Sequence, residues 1–238
     1  MRAMILAAGR GERMRPLTDT LPKPLLEVHG KALIIYHIEK LAQNGFKEII
    51  INIAHLGAKI EEVLGDGSQW RVKIFYSDER ESGALESAGG IIKALPLLGE
   101  ETFMVVNGDV FCDYEFDSSF ELGEKMAHLI LVANPEHNPE GDFGLEGADV
   151  FNESENMFTF SGIAYYNPKL FENRELQKAP LAPLLRSAIA KKRISGELFT
   201  KKWHDIGTPK RLQEINNENK TTTTPNSDNA SLSKIHKL

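Results

Sequence analysis

The stretch Met4-Ile5-Leu6-Ala7-Ala8-Gly9-Arg10-Gly11-Glu12-Arg13-Met14-Arg15 decides how this chain is read. An apolar run of strand character ends in a glycine turn loaded with arginines. Open α/β sheets bind ligands at such a place, outside the carboxyl end of a strand. Gly9 and Gly11 let backbone N–H groups approach a phosphate, and the arginines supply charge and forked donors. A G-x-G alone is equally well a tight turn carrying solvated arginines. Two rival motifs fail on residue identity. The dinucleotide fingerprint needs a third glycine at position 14, which is Met14, and the P-loop needs Gly-Lys-Ser/Thr, which this segment lacks.

Outward from this turn, short Ile- and Val-rich runs at residues 4–8, 48–53, 72–76 and 103–106 read as strands buried on both faces. Between the first two, Ile34, Ile38 and Leu41 recur at helical spacing, with Gly45 where a helix end favours left-handed backbone. Residues 57–64 and 85–95 are the next helices, the latter stopped by Pro96. The alternation predicts an α/β fold with a mostly parallel, mixed central sheet and helices on both faces. Further strands are expected at 128–132 and 158–166, separated by a Gly-, Pro- and Asn-rich stretch over 134–147, and an insertion of about 134–166 builds a pocket wall. Pro183 opens a helix running to about residue 193, and Thr208-Pro209 caps a last one. One domain over 1–219 is expected, followed by a polar, disordered tail over 220–238.

Composition bounds the rest. With 41% hydrophobic residues the chain buries an ordinary globular core, and a net charge of −6 has the wrong sign for a protein living on nucleic-acid phosphate. No apolar run approaches bilayer length, so no membrane partner is expected. One cysteine, Cys112, makes no intramolecular disulfide, and the cytoplasm is the expected compartment. The histidines lack metal-site spacing, so His37 and His128 read as packing residues, and Cys112 as a small buried hydrophobe.

Beyond the glycines, Leu21-Pro22-Lys23-Pro24 holds one lysine between two prolines, which fixes where its ammonium points. Asp109 follows the strand Phe103 to Val106 through Asn107-Gly108, and Asp205 lies in Trp203-His204-Asp205-Ile206-Gly207-Thr208-Pro209. On spacing alone Asp109 is more readily an Asx-turn residue at a strand end than a metal ligand, and the plain reading of Asp205 is a turn residue before the last helix.

The run from Leu6 to Thr18, followed by Pro22-Lys23-Pro24, resembles the signature of the sugar-1-phosphate nucleotidyltransferases. The resemblance spans residues 1 to about 217 and implies a Rossmann-like nucleotidyltransferase fold. It further implies UTP and a sugar 1-phosphate as substrates, with no nucleic acid involved, in a monomer or weak homodimer. In this family the strand-end aspartate and that of the W-x-D-x-G-T-P segment share Mg²⁺, positions matched by Asp109 and Asp205. The resemblance assigns Arg13 and Lys23 to catalysis. Ala8, Gly9, Gly11, Glu12, Gly89 and Asn107, with Arg13 and Lys23, are assigned to the nucleotide.

Within the family, Gly11-Glu12-Arg13-Met14-Arg15, Val106-Asn107-Gly108-Asp109-Val110 and Phe160-Ser161-Gly162-Ile163 are similar to the branch serving bacterial peptidoglycan recycling through N-acetylmuramate 1-phosphate, a resemblance that implies a role for Asp142 of Gly141-Asp142-Phe143. Asp142, Ser161 and Gly162 then fall at the sugar. Leu85-Glu86-Ser87-Ala88-Gly89 departs from the family's Leu-Gly-Thr-Ala-Gly, and Glu86 must point away from phosphates or serve sugar hydroxyls. The Glu-Lys-Pro element that holds glucose 1-phosphate in many relatives is absent. Alternatives are mannose-1-phosphate guanylyl transfer and a catalytically silent nucleotide-sugar sensor. The second is disfavoured because Arg13, Lys23, Asp109 and Asp205 all remain.

Overall fold

The computed structural model describes residues 1–218. The tail expected at 220–238 lies outside the described residues. The chain opens with β1 (Arg2–Leu6), then a small hairpin of β2 (Glu27–Val28) and β3 (Lys31–Ala32). Helix α1 (Leu33–Gln43), β4 (Glu48–Ile53), α2 (Gly57–Leu64), β5 (Lys73–Asp78) and α3 (Glu86–Leu98) follow. Next come β6 (Phe103–Asn107), β7 (Val110–Cys112), β8 (Ala127–Val132), β9 (Phe143–Glu146), β10 (Asp149–Phe151) and β11 (Met157–Tyr166). The described chain closes with α4 (Ala182–Ala190), β12 (Ile194–Leu198), β13 (Trp203–Asp205) and α5 (Pro209–Glu218).

Nine strands form one mixed sheet in the order β5-β4-β1-β6-β11-β8-β12-β10-β9. Side-chain alternation divides the core between its two faces. Ala3, Ile5, Ile49, Ile51, Ile53, Met104 and Val106 face α1 and α2. Met4, Ile50, Phe103 and Val105 face α3 and α4, meeting Ile91, Ala94, Leu184 and Leu185. Because both faces are covered, the strands read as continuous apolar runs. A third, smaller cluster joins Met14, Leu26 and Val28 to Ile206 and Ile215 of α5, closing the carboxyl segment over the first hairpin.

Parallel pairing is concentrated in β5-β4-β1-β6, with β8 and β12 the other parallel pair. β11 runs antiparallel to both β6 and β8, so the second half of the sheet is more mixed than the sequence predicted. From β1 the chain builds towards β4 and β5, then returns through α3 to the other flank of β1. This reversal creates a crevice outside the carboxyl ends of β1 and β6.

Two local expectations differ. Pro96 does not stop α3 but sits within its last turn, and the helix ends where Gly99 donates to Leu95 O at 2.9 Å. The helix expected to reach 193 ends at Ala190, and it is followed by strand β12, which the sequence reading did not contain. Its Gly196 is needed because a Cβ there would come within 2.9 Å of Leu129 O. His37 is buried as expected, and burial lowers its imidazole to about 4, yet its Nε2 has no hydrogen-bond partner.

Candidate functional site

A cavity of about 570 Å³ opens at the crevice, lined by the glycine turn, Lys23, Asn107, Asp109 and the start of α3. Its geometry begins with β1. Gly11 has a φ of 65° and starts a short 3-10 turn over Glu12–Met14. Thr18 Oγ1 donates to Gly11 O at 2.8 Å, folding the loop back on itself. Gly108 donates its N–H to Leu6 O at 2.9 Å, and a Cβ there would lie 2.8 Å from that same oxygen. Glycine is therefore what lets the Asn107-Gly108-Asp109 turn close onto β1, bringing Asp109 beside the glycine loop.

Lys23 Nζ donates to Asp109 Oδ2 at 2.5 Å, its side chain only 12% exposed. The proline-flanked lysine thus meets a carboxylate 86 residues away. Arg13 is exposed on the cavity wall. Ala8, Gly9, Gly11 and Glu12 line the same cavity.

A second cavity of about 340 Å³ adjoins the first, and Arg13, Asn107 and Asp109 line both. Strands β7 and β13 pair with Asp205 opposite Val110, and Ile206 N–H donates to Asp109 O at 2.9 Å. Two aspartates almost a hundred residues apart are thereby neighbours at one cavity. Asp205 Oδ2 accepts from Arg211 at 2.8 Å and lies 3.3 Å from His137 Nε2. Asp205 Oδ1 is buried without a partner. An acceptor left over beside a second carboxylate suits a hard cation such as Mg²⁺. No group of three or more His, Cys, Asp or Glu residues able to hold a metal occurs among the described residues. A cation at this pair would therefore complete its shell with water and substrate oxygens, as Mg²⁺ commonly does.

Ser161 and Gly162 line the second cavity at an irregularity in β11, where the register shifts between Phe160 and Ile163. Gly162 has a φ of 80°, and a Cβ there would lie 2.5 Å from the Asn107 amide nitrogen. The Ser161 side chain is buried, its Oγ accepting from Ile163 N at 3.2 Å, while Trp203 Nε1 donates to Ser161 O at 3.0 Å. Asp142 is outside the lining of both cavities. Its Oδ2 accepts the Phe160 N–H at 2.8 Å, so it braces the irregular strand. Gly89 is also set back. A Cβ there would lie 2.4 Å from Gln177 O, so the residue packs α3 against residues 177–179. Glu86, with a φ of 62°, turns to Lys178 at 3.4 Å, and both line the first cavity.

The sequence reading missed Asn52, Glu79, His137 and Arg211. Asn52 carried a signal, being a polar residue inside the otherwise apolar run of β4. Arg211 and His137 carried none, because only the fold brings them to Asp205.

Comparisons with known proteins identify the family. Residues 2–222 match the family model described as nucleotidyl transferase. The chain is 53% identical over 223 residues to the N-acetylmuramate alpha-1-phosphate uridylyltransferase of Neisseria meningitidis serogroup B, covering 90% of this chain and 96% of that one. It is 29% identical to mannose-1-phosphate guanylyltransferase catalytic subunit beta of Danio rerio, spanning 88% of this chain and 62% of the relative. A Bacillus anthracis crystal structure described as a glucose-1-phosphate thymidylyltransferase superposes with a TM-score of 0.80 at 21% identity, covering 91% of this chain and 94% of that one, a likeness of fold. No described helix is long and apolar enough to cross a membrane. With residues 2–222 inside one family match and a relative 53% identical over 223 residues, this chain belongs to the nucleotidyl transferase family, in the sugar-1-phosphate nucleotidyltransferase branch.

Proposed function

We propose that this protein transfers the uridylyl group of UTP to N-acetylmuramate 1-phosphate, giving a UDP-sugar and pyrophosphate. A phosphate oxygen of the sugar phosphate attacks the α-phosphorus in line. The new P–O bond forms as the bond to the α–β bridging oxygen breaks, and pyrophosphate departs with that oxygen. The attacking oxygen is already anionic, so no general base is required. Catalysis is then mostly positioning and charge neutralisation.

The observation that carries this reading is that Arg13, Asn107 and Asp109 line both cavities, so that groups bound in the two would meet there. Ala8, Gly9, Gly11 and Glu12 offer backbone to the triphosphate, Arg13 takes the β and γ phosphates, and Lys23 answers charge developing at the α-phosphate. Asn107 approaches the nucleotide, and Gly89 sets the depth of the wall formed by α3. Asp109 and Asp205 would hold Mg²⁺, which would supply charge neutralisation at the phosphates. Ser161 and Gly162 form the sugar side, with Asp142 acting on it through the Phe160 backbone.

Uracil and the muramate sugar are supported by the 53% identical Neisseria relative and by the absent Glu-Lys-Pro element. Pyrophosphate release, measured with Mg²⁺ over a grid of nucleotides and sugar phosphates, tests this. N-acetylmuramate 1-phosphate with UTP should exceed glucose 1-phosphate with UTP by about a hundredfold or more in kcat/KM, because polar groups built for one sugar are left unpaired by another. The reading fails at the sugar if mannose 1-phosphate with GTP is the better pair. It fails as an enzyme if no pair releases pyrophosphate.

A further inference from the structure

Behind the first cavity lies a buried polar chain that the reaction as described does not use. Asn52, at the carboxyl end of β4, is 3% exposed, and Glu79, just past β5, is fully buried. Asn52 Oδ1 accepts the Ala7 N–H at 2.7 Å, and Asn52 Nδ2 donates to Glu79 Oε1 at 2.7 Å. Glu79 Oε2 accepts the Leu85 N–H at 2.8 Å. The backbone fixes the polarity of the chain, since the amides of Ala7 and Leu85 can only donate. Gly90 of α3 leaves room for the pair, because a Cβ there would lie 2.8 Å from Asn52 Nδ2 and 2.9 Å from Glu79 Oε1. Both side chains back the first cavity.

A carboxylate without exposure is costly unless its oxygens are hydrogen-bonded. Here the two bonds connect separate parts of the cavity. Ala7 leads into the glycine loop, and Leu85 leads into Glu86 and Ser87 of the facing wall. We propose that the Asn52–Glu79 pair is a brace that fixes the spacing between the glycine loop and the wall opposite it, making Asn52 a positioning residue for the nucleotide. For its kinetic consequence this inference rests on the function proposed above.

Hydrogen-bond arithmetic supplies a test. In Asn52→Asp, two carboxylates face each other. In Glu79→Gln, the single amide oxygen cannot serve both Asn52 Nδ2 and the Leu85 N–H, and flipping Asn52 only moves the mismatch to Ala7. The double variant Asn52→Asp/Glu79→Gln restores every donor–acceptor pair, with the charge moved to position 52. Each single variant should raise the KM for UTP on the order of tenfold, with kcat changed less, and should accelerate amide exchange at Ala7 and Leu85. The double variant should return both readouts to within about threefold of the parent, a non-additive recovery. A single variant too unstable to purify alongside a folded double variant supports the brace in the same way. Losses that simply add in the double variant, a double variant that does not fold, or single variants that change neither KM nor exchange would overturn it. If no pair of substrates releases pyrophosphate, the exchange readout still decides the brace, so the two failures are distinguishable.

Discussion

The two cavities share Arg13, Asn107 and Asp109 but are built in different ways. The first is made at the carboxyl ends of parallel strands, from backbone that turns at Gly11 and Gly108. The second is walled by antiparallel elements: the irregular strand β11, the β7–β13 pair and the segment carrying His137 and Asn138. Phosphates look alike in every substrate, and fixed backbone N–H groups serve them well. Sugars differ, and side chains on a mixed, irregular wall can change without disturbing the parallel strands. Under the proposed function, a phosphate floor and a sugar wall would meet along one line, at Asn107 and Asp109.

That line is where the comparison is easiest to break. Asp109→Asn and Asp205→Asn should each lower turnover on the order of a thousandfold or more, because Asp109 lines both cavities and Asp205 the second, so that both face one site. The double variant should be little worse than either alone. Losses that add in ΔΔG‡ would mean the two walls work separately. Initial rates of pyrophosphate release, with circular dichroism to confirm folding, provide the check.

Lys23→Ala comes next, at about a hundredfold or more in kcat. Lys23 already holds Asp109. The loss should therefore be partly shared with Asp109→Asn, and a double variant as impaired as the sum of the two would argue against their coupling.

Arg211→Gln sharpens the sugar-wall side of the comparison. Arg211 donates to Asp205 Oδ2 and also, at 3.1 Å, to Asp205 O, so it fixes the carboxylate whose Oδ1 is left without a partner. Residues that orient a metal ligand typically contribute tenfold to a hundredfold. The variant should need more Mg²⁺ for half-maximal activity, and Mn²⁺ binding followed by electron paramagnetic resonance in the presence of nucleotide should weaken in parallel. An unchanged metal requirement would confine Arg211 to packing against Gly207.

Legibility in the sequence follows the same division. The glycine loop and Pro22-Lys23-Pro24 could be read because their chemistry is contiguous, and the strands of the parallel half because burial on both faces makes them uniformly apolar. Strand β12, Ile-Ser-Gly-Glu-Leu, could not be read, since its Gly196 answers a neighbour, Leu129 O, that the local sequence does not reveal. Glu79 and Arg211 escaped for a related reason. Glu79 owes its role to Asn52, brought close by the β4–β5 pairing, and Arg211 to the turn of α5 back onto Asp205, while an exposed glutamate or arginine would look the same on paper. Gly89 and Asp142 were picked out by resemblance, while the structure gives each a local packing or bracing contact that spacing alone did not suggest.

Asp142 offers the finest test, and the smallest expected effect. Its Oδ2 accepts the Phe160 N–H immediately before the irregularity that presents Ser161 and Gly162 to the second cavity. If bracing is its task, what matters is an acceptor at that position and not the charge. Asp142→Asn keeps an acceptor in place, so the KM for the sugar phosphate should move by less than about threefold and the melting temperature should hardly change. Asp142→Ala removes the acceptor and leaves the Phe160 N–H without its partner, at about 1 kcal/mol of stability. Its melting temperature should fall, and the KM for the sugar phosphate should rise while that for UTP stays close to the parent value. The opposite pattern, a tenfold or larger rise in sugar KM for Asp142→Asn at an unchanged melting temperature, would show the carboxylate charge itself meeting the sugar. The second cavity would then extend past its present lining, and its wall would be set by charge as well as by the path of β11.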